Sequence, residues 1–219
     1  MGEFGIFILF IAFFAVAAYF AHIASKKRRE AFEAIASDLN LHYTPTKNRD
    51  MAKRYKFLKK LAQGSNRYAY NILSGPYKDH RVLVFDYHYE TRSDKNTHHY
   101  HFSFFILFLG KHFPELTITN EHIFSKIAQA IGFDDIDFES HEFSSKYTVR
   151  SKDKKFAYDV CNSKMIEFLL NLDGINLEID QDVLAVGYSR KLAPEVIEQH
   201  LNRLIAIREL MPDYLFKGE

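Results

Sequence analysis

"RVLVFDYHYETRSDKNTHHYHFSFFILFL", residues 81–109, consists of two largely apolar runs on either side of a short polar segment. Side chains of different character alternate along both runs, which is the two-residue period of a β-strand. The polar segment at 92–96 is rich in turn-forming residues, so the stretch predicts an antiparallel hairpin. The run "RYAYNIL" at 67–73 predicts a further strand, connected to the hairpin by the turn segment "SGPYKD". The centre of the fold is therefore predicted to be an antiparallel sheet.

The position of the hairpin turn determines which of its residues face each other. With a turn at 93–94, His88 is predicted to lie opposite His99, and Asp86 opposite His101. Asp86, His88, Glu90, His99 and His101 then share one face of the hairpin, while the aromatic residues share the other. Opposed side chains have Cβ atoms about 4.5–5.5 Å apart, close enough for one metal ion to bridge two imidazoles.

Three interpretations of this polar face are open at the level of sequence. Asp86, His88, His99 and His101 are candidate ligands of zinc or iron. A patch whose charge depends on histidine protonation is the second interpretation, and a solvated face without a ligand is the third. The chain lacks an HExxH motif or a similar metalloprotease pattern. The solvated face is therefore the favoured interpretation, and no cofactor is expected.

The N-terminal segment at 4–24 contains 21 residues without an aspartate, glutamate, lysine or arginine. A helix of that length rises about 30 Å, which matches the hydrocarbon core of a bilayer. A cleaved signal peptide would carry positive charge before the apolar stretch, whereas "KKRR" follows it here. Because positive flanks stay in the cytoplasm, the segment predicts one retained membrane span with the remainder of the chain in the cytoplasm.

Positive charge is concentrated beside this predicted span. Residues 26–67 contain twelve Lys/Arg and four Asp/Glu, although the whole chain has a net charge of only +1. The predicted helix at 49–63 carries part of that charge, and anionic lipid attracts such segments. We therefore expect the lipid bilayer to be a partner. The residues expected to meet lipid headgroups are Lys26, Lys27, Arg28, Arg29, Lys53, Lys56 and Lys60. Nucleic acid is a disfavoured partner, because the aromatic residues follow a core-like strand pattern.

Helical periodicity at 153–172 and 192–210, together with the strand runs, predicts an α+β fold with a mainly antiparallel sheet packed against helices. The predicted organisation is a transmembrane anchor at 1–25, basic juxtamembrane helices at 26–66 and a cytoplasmic α+β domain at 67–219. Cys161 is the single cysteine, which excludes an intramolecular disulfide and predicts a buried thiol.

Several stretches behind the apolar anchor and its basic flank form a recognisable pattern: "DLNLHYTP" at 38–45, "VFDYHYET" at 84–91 and "GFDDIDFESHEFSSKYTVRSKD" at 132–153. In these the chain resembles a group of bacterial single-span membrane proteins with an uncharacterised cytoplasmic domain. The resemblance implies a bacterial inner-membrane location and implies neither an activity nor catalytic residues.

The chain contains no GxSxG motif, phosphate-binding loop or dinucleotide fingerprint. The sequence therefore favours a non-enzymatic function, a membrane-tethered binding or scaffold module whose partner is another membrane or cytoplasmic protein. The alternative is a metal-dependent enzyme that uses Asp86, His88, His99 and His101.

Overall fold

The computed structural model describes residues 3–93, 96–120, 135–172 and 174–217 of the chain. It confirms the predicted α+β class, with a long apolar N-terminal helix followed by a mainly antiparallel sheet and further helices. The helices are α1 (Glu3–Asp38), α2 (Asp50–Arg54), α3 (His141–Lys146), α4 (Lys154–Val160), α5 (Ser163–Leu170) and α6 (Ile197–Leu210). The strands are β1 (His42–Thr44), β2 (Ser65–Tyr77), β3 (His80–Ser93), β4 (Asn96–Asn120), β5 (Tyr147–Ser151) and β6 (Asn176–Gly187).

The six strands form one sheet in the order β1-β2-β3-β4-β5, and β6 pairs with β4. Every pairing between these strands is antiparallel. Strand β4 is 25 residues long and pairs with three neighbours, β3 in its first half, β5 at its end and β6 on both sides of its middle. The β2–β3 hairpin turns at Lys78 and Asp79, whose φ angles of 46° and 64° fit a two-residue turn that follows the strand twist.

Both faces of the central sheet are covered by apolar side chains. On one face, Val84 of β3 and Phe105 of β4 pack with α4, α5, α6 and the last turns of α1. On the other face, Phe85 and Phe104 pack under the segment at 51–61. Burial on both faces explains why the run "FSFFILFL" in β4 is almost continuously apolar.

Helix α1 runs without a break from the apolar N-terminal segment into the folded domain. Among the described residues, it is the one helix that is long and apolar enough to cross a membrane. All but two of the described large hydrophobic side chains that are exposed lie between Ile6 and Phe20. Further along the same helix, Phe32 and Ala36 are 1% and 5% exposed and belong to the core. The apolar segment is therefore connected to the domain by a helix that the domain itself holds.

The predicted helix at 49–63 is wrong in its extent, because α2 ends at Arg54. Beyond that residue, Tyr55, Leu58 and Leu61 are all buried against the sheet. These residues are three positions apart, and each interval forms one tight turn. The amide of Leu58 donates to the Tyr55 carbonyl, and the amide of Leu61 donates to the Leu58 carbonyl. The carboxylate of Glu178 accepts the backbone N–H groups of Lys59 and Lys60, which an α-helix would have used internally.

The run "INLEIDQDVLAVGYS" at 175–189 has polar residues between two apolar runs, a pattern that predicts a hairpin, but it forms the single strand β6. The polar residues at its middle produce a bulge, with Gln181 at φ 54°, because β4 offers pairing partners on both sides of that point. The predicted helix at 153–172 is divided into α4 and α5 near Asn162, and Cys161 is buried there. Burial raises the pKa of this thiol to about 12, which agrees with an unreactive role. The sequence at 119–132 also predicts a helix, with Thr119 or Asn120 as its cap and Gly132 at its end, but this segment lies almost wholly outside the described residues.

Candidate functional site

Helix α1 is joined to the sheet by a buried ion pair between Arg28 and Asp86. The Asp86 side chain is 0% exposed, and that of Arg28 is 16% exposed. Arg28 donates from Nε to Asp86 Oδ2 at 2.9 Å and from Nη2 to Oδ1 at 2.8 Å. Asn71 of β2 and Ser103 of β4 each donate one further bond to the same carboxylate at 3.0 Å. One carboxylate therefore connects the first helix to three adjacent strands.

This arrangement removes Asp86 from the predicted set of metal ligands. Both carboxylate oxygens already accept two hydrogen bonds each, and the guanidinium supplies the compensating charge. Arg28 also donates to the Leu192 carbonyl at 2.8 Å, so its guanidinium is hydrogen-bonded to two different residues of the domain. The sequence predicted that Arg28 meets lipid headgroups and named Asp86 as a candidate metal ligand, whereas the structure pairs the two with each other.

A basic cleft of about 500 Å³ opens between α1 and the domain, next to this ion pair. Ala21, Ala24 and Ser25 form its helical wall, at the end of the apolar segment. The opposite wall includes Pro45 and Tyr70. The cleft thus lies at the level where an apolar helix meets the polar part of the chain.

The charge of the cleft is entirely positive among the described residues that line it. Arg28, Arg29, Lys47 and Lys191 contribute, and no described lining residue is acidic. Arg29, Lys47 and Lys191 are exposed, whereas Arg28 is occupied by Asp86. Lys47 and Lys191 are cleft residues that sequence reasoning missed, because Lys47 lies outside the predicted helix at 49–63 and Lys191 lies far from the span along the chain.

The other lysines predicted to meet lipid occupy different surroundings. Lys60 is 7% exposed and lies over the Phe102 ring at 5.1 Å, and burial lowers its pKa. Lys53 and Lys56 are exposed, but their segment covers the sheet face opposite to the one that α1 covers. Lys26 and Lys27 are exposed on α1. The structure therefore divides the predicted basic surface into separate parts.

The register of the β3–β4 hairpin differs from the prediction by two residues. His88 lies opposite His101, and Glu90 lies opposite His99. The last pair in this register is Ser93 with Asn96. A shift of two residues leaves every side chain on its predicted face, so the polar set still shares one face of the sheet.

The favoured interpretation of that face as a solvated surface is wrong for its β3 half. Asp86, His88 and Glu90 are 0%, 3% and 7% exposed, whereas His99 and His101 of β4 are exposed. Part of the cover over β3 comes from β2, whose Tyr68 ring stacks on His88 at 4.5 Å between centroids. Buried polar side chains need partners, and these three find them in α1, β2 and β4.

Three side chains on this face, those of His88, Glu90 and His99, converge on one point. His99 Nδ1 lies 3.1 Å from His88 Nε2 and 3.4 Å from Glu90 Oε1. Glu90 Oε1 lies 3.9 Å from His88 Nε2. All three ligand atoms lie within 4.8 Å of one another. His101 takes another partner, since its Nδ1 lies 3.1 Å from the Tyr70 hydroxyl. We name the set of His88, Glu90 and His99 the hairpin cluster.

Asn66 of β2 holds two members of the hairpin cluster in place. Its backbone carbonyl lies 3.0 Å from His88 Nδ1; with the proton on Nδ1, the lone pair of Nε2 faces His99 Nδ1. Its side-chain amide donates to Glu90 Oε1 at 2.6 Å. This hydrogen bond holds the pKa of Glu90 below its ordinary value. Asn66 adopts φ 48°, an angle that asparagine tolerates better than most residues.

Comparison with known proteins finds a structural likeness. No protein-family model matches the chain, and no curated protein matches it in sequence. A solved crystal structure does match, that of TtfA, the mycobacterial trehalose monomycolate transport factor A. The fold is shared with TtfA. The TM-score is 0.58, and the alignment covers 86% of this chain and 96% of TtfA. Sequence identity is 12%, so the likeness concerns the fold and carries no residue roles.

Proposed function

We propose that this protein is a non-enzymatic factor of the bacterial cytoplasmic membrane, anchored by one span and facing the cytoplasm. Its domain would be held at the inner leaflet, where the basic cleft binds the phosphate of an anionic phospholipid and another surface binds a protein partner. The single observation that carries the proposal is the continuity of α1, which enters the core at Phe32 and is locked by Arg28 to Asp86.

A continuous helix restricts how the domain can sit relative to the membrane. A flexible linker would let the domain turn freely, whereas α1 has no break between its apolar segment and its buried last turns. The cleft between that helix and Tyr70 would then stay at headgroup depth. Its position is suited to lipid because the wall at Ala21 and Ala24 is apolar while Arg29 supplies charge.

The four ligands predicted for a metal-dependent enzyme do not come together as one set. Asp86 is committed to Arg28 and His101 contacts Tyr70, whereas His88 and His99 lie side by side. The shared fold with TtfA also supports the proposal, because TtfA is described as a transport factor. We extend to this chain only the general role of a membrane-associated factor.

The test is lipid retention by the full-length chain. The protein is reconstituted into nanodiscs of phosphatidylcholine with about one-third phosphatidylglycerol, released into mild detergent and analysed by native mass spectrometry. We expect retained phosphatidylglycerol to exceed its share in the disc. Lys47→Gln with Lys191→Gln should reduce the enrichment several-fold, because each lysine near an anionic surface contributes about 1 kcal/mol.

Lys53→Gln with Lys56→Gln is the matched control, since it removes the same charge from the opposite side of the sheet. We expect enrichment to survive in this variant. Free inorganic phosphate in excess should not displace the lipid if the acyl chains also contact α1. Equal retention of both lipids by the unmodified chain, or equal loss in the two double variants, would refute the cleft as the lipid site.

A further inference from the structure

We propose that the hairpin cluster of His88, Glu90 and His99 is a binding site for a divalent metal ion of the zinc type. The proposal is independent of the lipid cleft and assigns no catalytic activity to the metal. It rests on the separations of three ligand atoms, on the groups that orient them and on their charge.

The spacing of the ligand atoms fits a tetrahedral ion. Zinc binds imidazole nitrogen and carboxylate oxygen at about 2.0–2.2 Å, so neighbouring ligands of a regular tetrahedron lie about 3.3–3.5 Å apart. The three separations in the cluster are 3.1, 3.4 and 3.9 Å, which bracket this value. An ion could therefore enter between the three atoms with small side-chain rotations and no movement of the strands.

The surroundings of the cluster resemble the outer shell of a metal site. A ligating histidine usually donates its second ring N–H to a carbonyl or carboxylate, which fixes the tautomer and aims the other nitrogen at the metal. His88 does this through the Asn66 carbonyl at 3.0 Å. Glu90 is oriented in the same way, because the Asn66 side-chain amide donates to its Oε1 at 2.6 Å.

Burial and charge distinguish this cluster from scattered surface histidines. His88 and Glu90 are 3% and 7% exposed, so the Glu90 carboxylate is a nearly buried charge. Its Oε1 lies 3.4 Å from His99 Nδ1 and 3.9 Å from His88 Nε2, and Arg92 is a further cationic neighbour. A dication would compensate that charge. His99 is exposed, with 54% of its side chain accessible, which provides an entry path and leaves the fourth ligand position to water.

The expected role of the ion is to fasten the end of the β3–β4 hairpin. It would connect Glu90 and His88 of β3 to His99 of β4, beside the β2 residue Asn66. This end of the hairpin adjoins the basic cleft, since His101 lies 4.7 Å from His88 between ring centroids and contacts Tyr70, a cleft residue.

The test is metal titration of the full-length chain in detergent, purified without a histidine tag and stripped with chelator. We expect calorimetry to give one Zn²⁺ per chain. When Co²⁺ replaces zinc, the visible absorption bands should have the high intensity that is typical of tetrahedral Co²⁺. His99→Ala should weaken zinc binding at least tenfold, and this exposed position should tolerate the change. Glu90→Gln should weaken it as well, because it keeps the side-chain shape and removes the charge.

His98→Ala is the matched control, because His98 is the neighbouring exposed histidine and its side chain lies on the other face of β4. It should change the affinity less than twofold. Circular dichroism of each variant verifies that it is folded. The proposal is overturned if the unmodified chain binds no zinc at this stoichiometry. It is also overturned if His98→Ala and His99→Ala weaken binding equally, which would indicate adventitious binding to a histidine-rich surface.

Discussion

Replacing Arg28 with alanine should destabilise the folded domain by about 3 kcal/mol, because it leaves a buried carboxylate without its counter-charge. Asp86 is 0% exposed and receives four hydrogen bonds, of which Arg28 supplies the two that carry charge. Asn71 and Ser103 can still donate to the carboxylate in the variant, but they carry no charge.

The size of the effect follows from the position of the pair. Breaking a buried ion pair by removing one partner typically costs 3–5 kcal/mol. We expect the lower end of that range, since the Arg28 side chain is 16% exposed and its removal opens Asp86 to water from the cleft. Against a typical total stability of about 5–15 kcal/mol, this is a large fraction.

The assay is denaturant unfolding of the full-length chain in micelles. The chain has no tryptophan and 13 tyrosines, so near-ultraviolet circular dichroism of tyrosine is a suitable probe. Arg29→Ala is the control, because it removes the same side chain one position later, where it is exposed. That variant should lie within about 0.5 kcal/mol of the unmodified protein.

A second variant isolates the cause. Adding Asp86→Asn to Arg28→Ala removes the uncompensated charge, so the double variant should be more stable than Arg28→Ala alone by about 1 kcal/mol or more. Equal stability of Arg28→Ala and Arg29→Ala would refute the argument that the ion pair holds α1 to the sheet. So would a double variant that is less stable than Arg28→Ala.

Two further predictions concern other parts of the fold. Gly64→Ala should lower the free energy of unfolding by about 2 kcal/mol or more, since φ is +62° and the added Cβ would lie 2.3 Å from the Glu90 carbonyl oxygen. Gly110→Ala has a similar φ of +71° but open space around the added Cβ, so it should lose only the smaller free energy that the backbone conformation costs. Equal denaturation midpoints for the two variants would contradict the predicted clash. Burial raises the pKa of Glu178 from 4.5 to about 7, so this group's contribution to stability is full below pH 4.5 and is lost as pH rises through 7. The unmodified protein should therefore lose up to about 3 kcal/mol relative to Glu178→Gln between pH 4.5 and 7.5, and denaturation midpoints that move in parallel would contradict the shift.

The sequence alone determined the features that depend on local periodicity. The uncharged segment at 4–24 predicts a helix that could span a membrane, and the structure has one such helix among its described residues. Alternation along 81–109 assigned the polar and aromatic side chains of the hairpin to the correct faces. That assignment survived a two-residue error in register, because side-chain direction repeats every two residues.

Tertiary structure alone decided which polar groups are buried and which partners they meet. Arg28 and Asp86 are 58 positions apart, and their pairing depends on how the last turns of α1 pack on the sheet. Glu90 replaces Asp86 in the candidate metal set because the true register places it opposite His99. A local pattern reports the face on which a side chain lies, whereas burial and charge compensation depend on segments that are distant in sequence and adjacent in space.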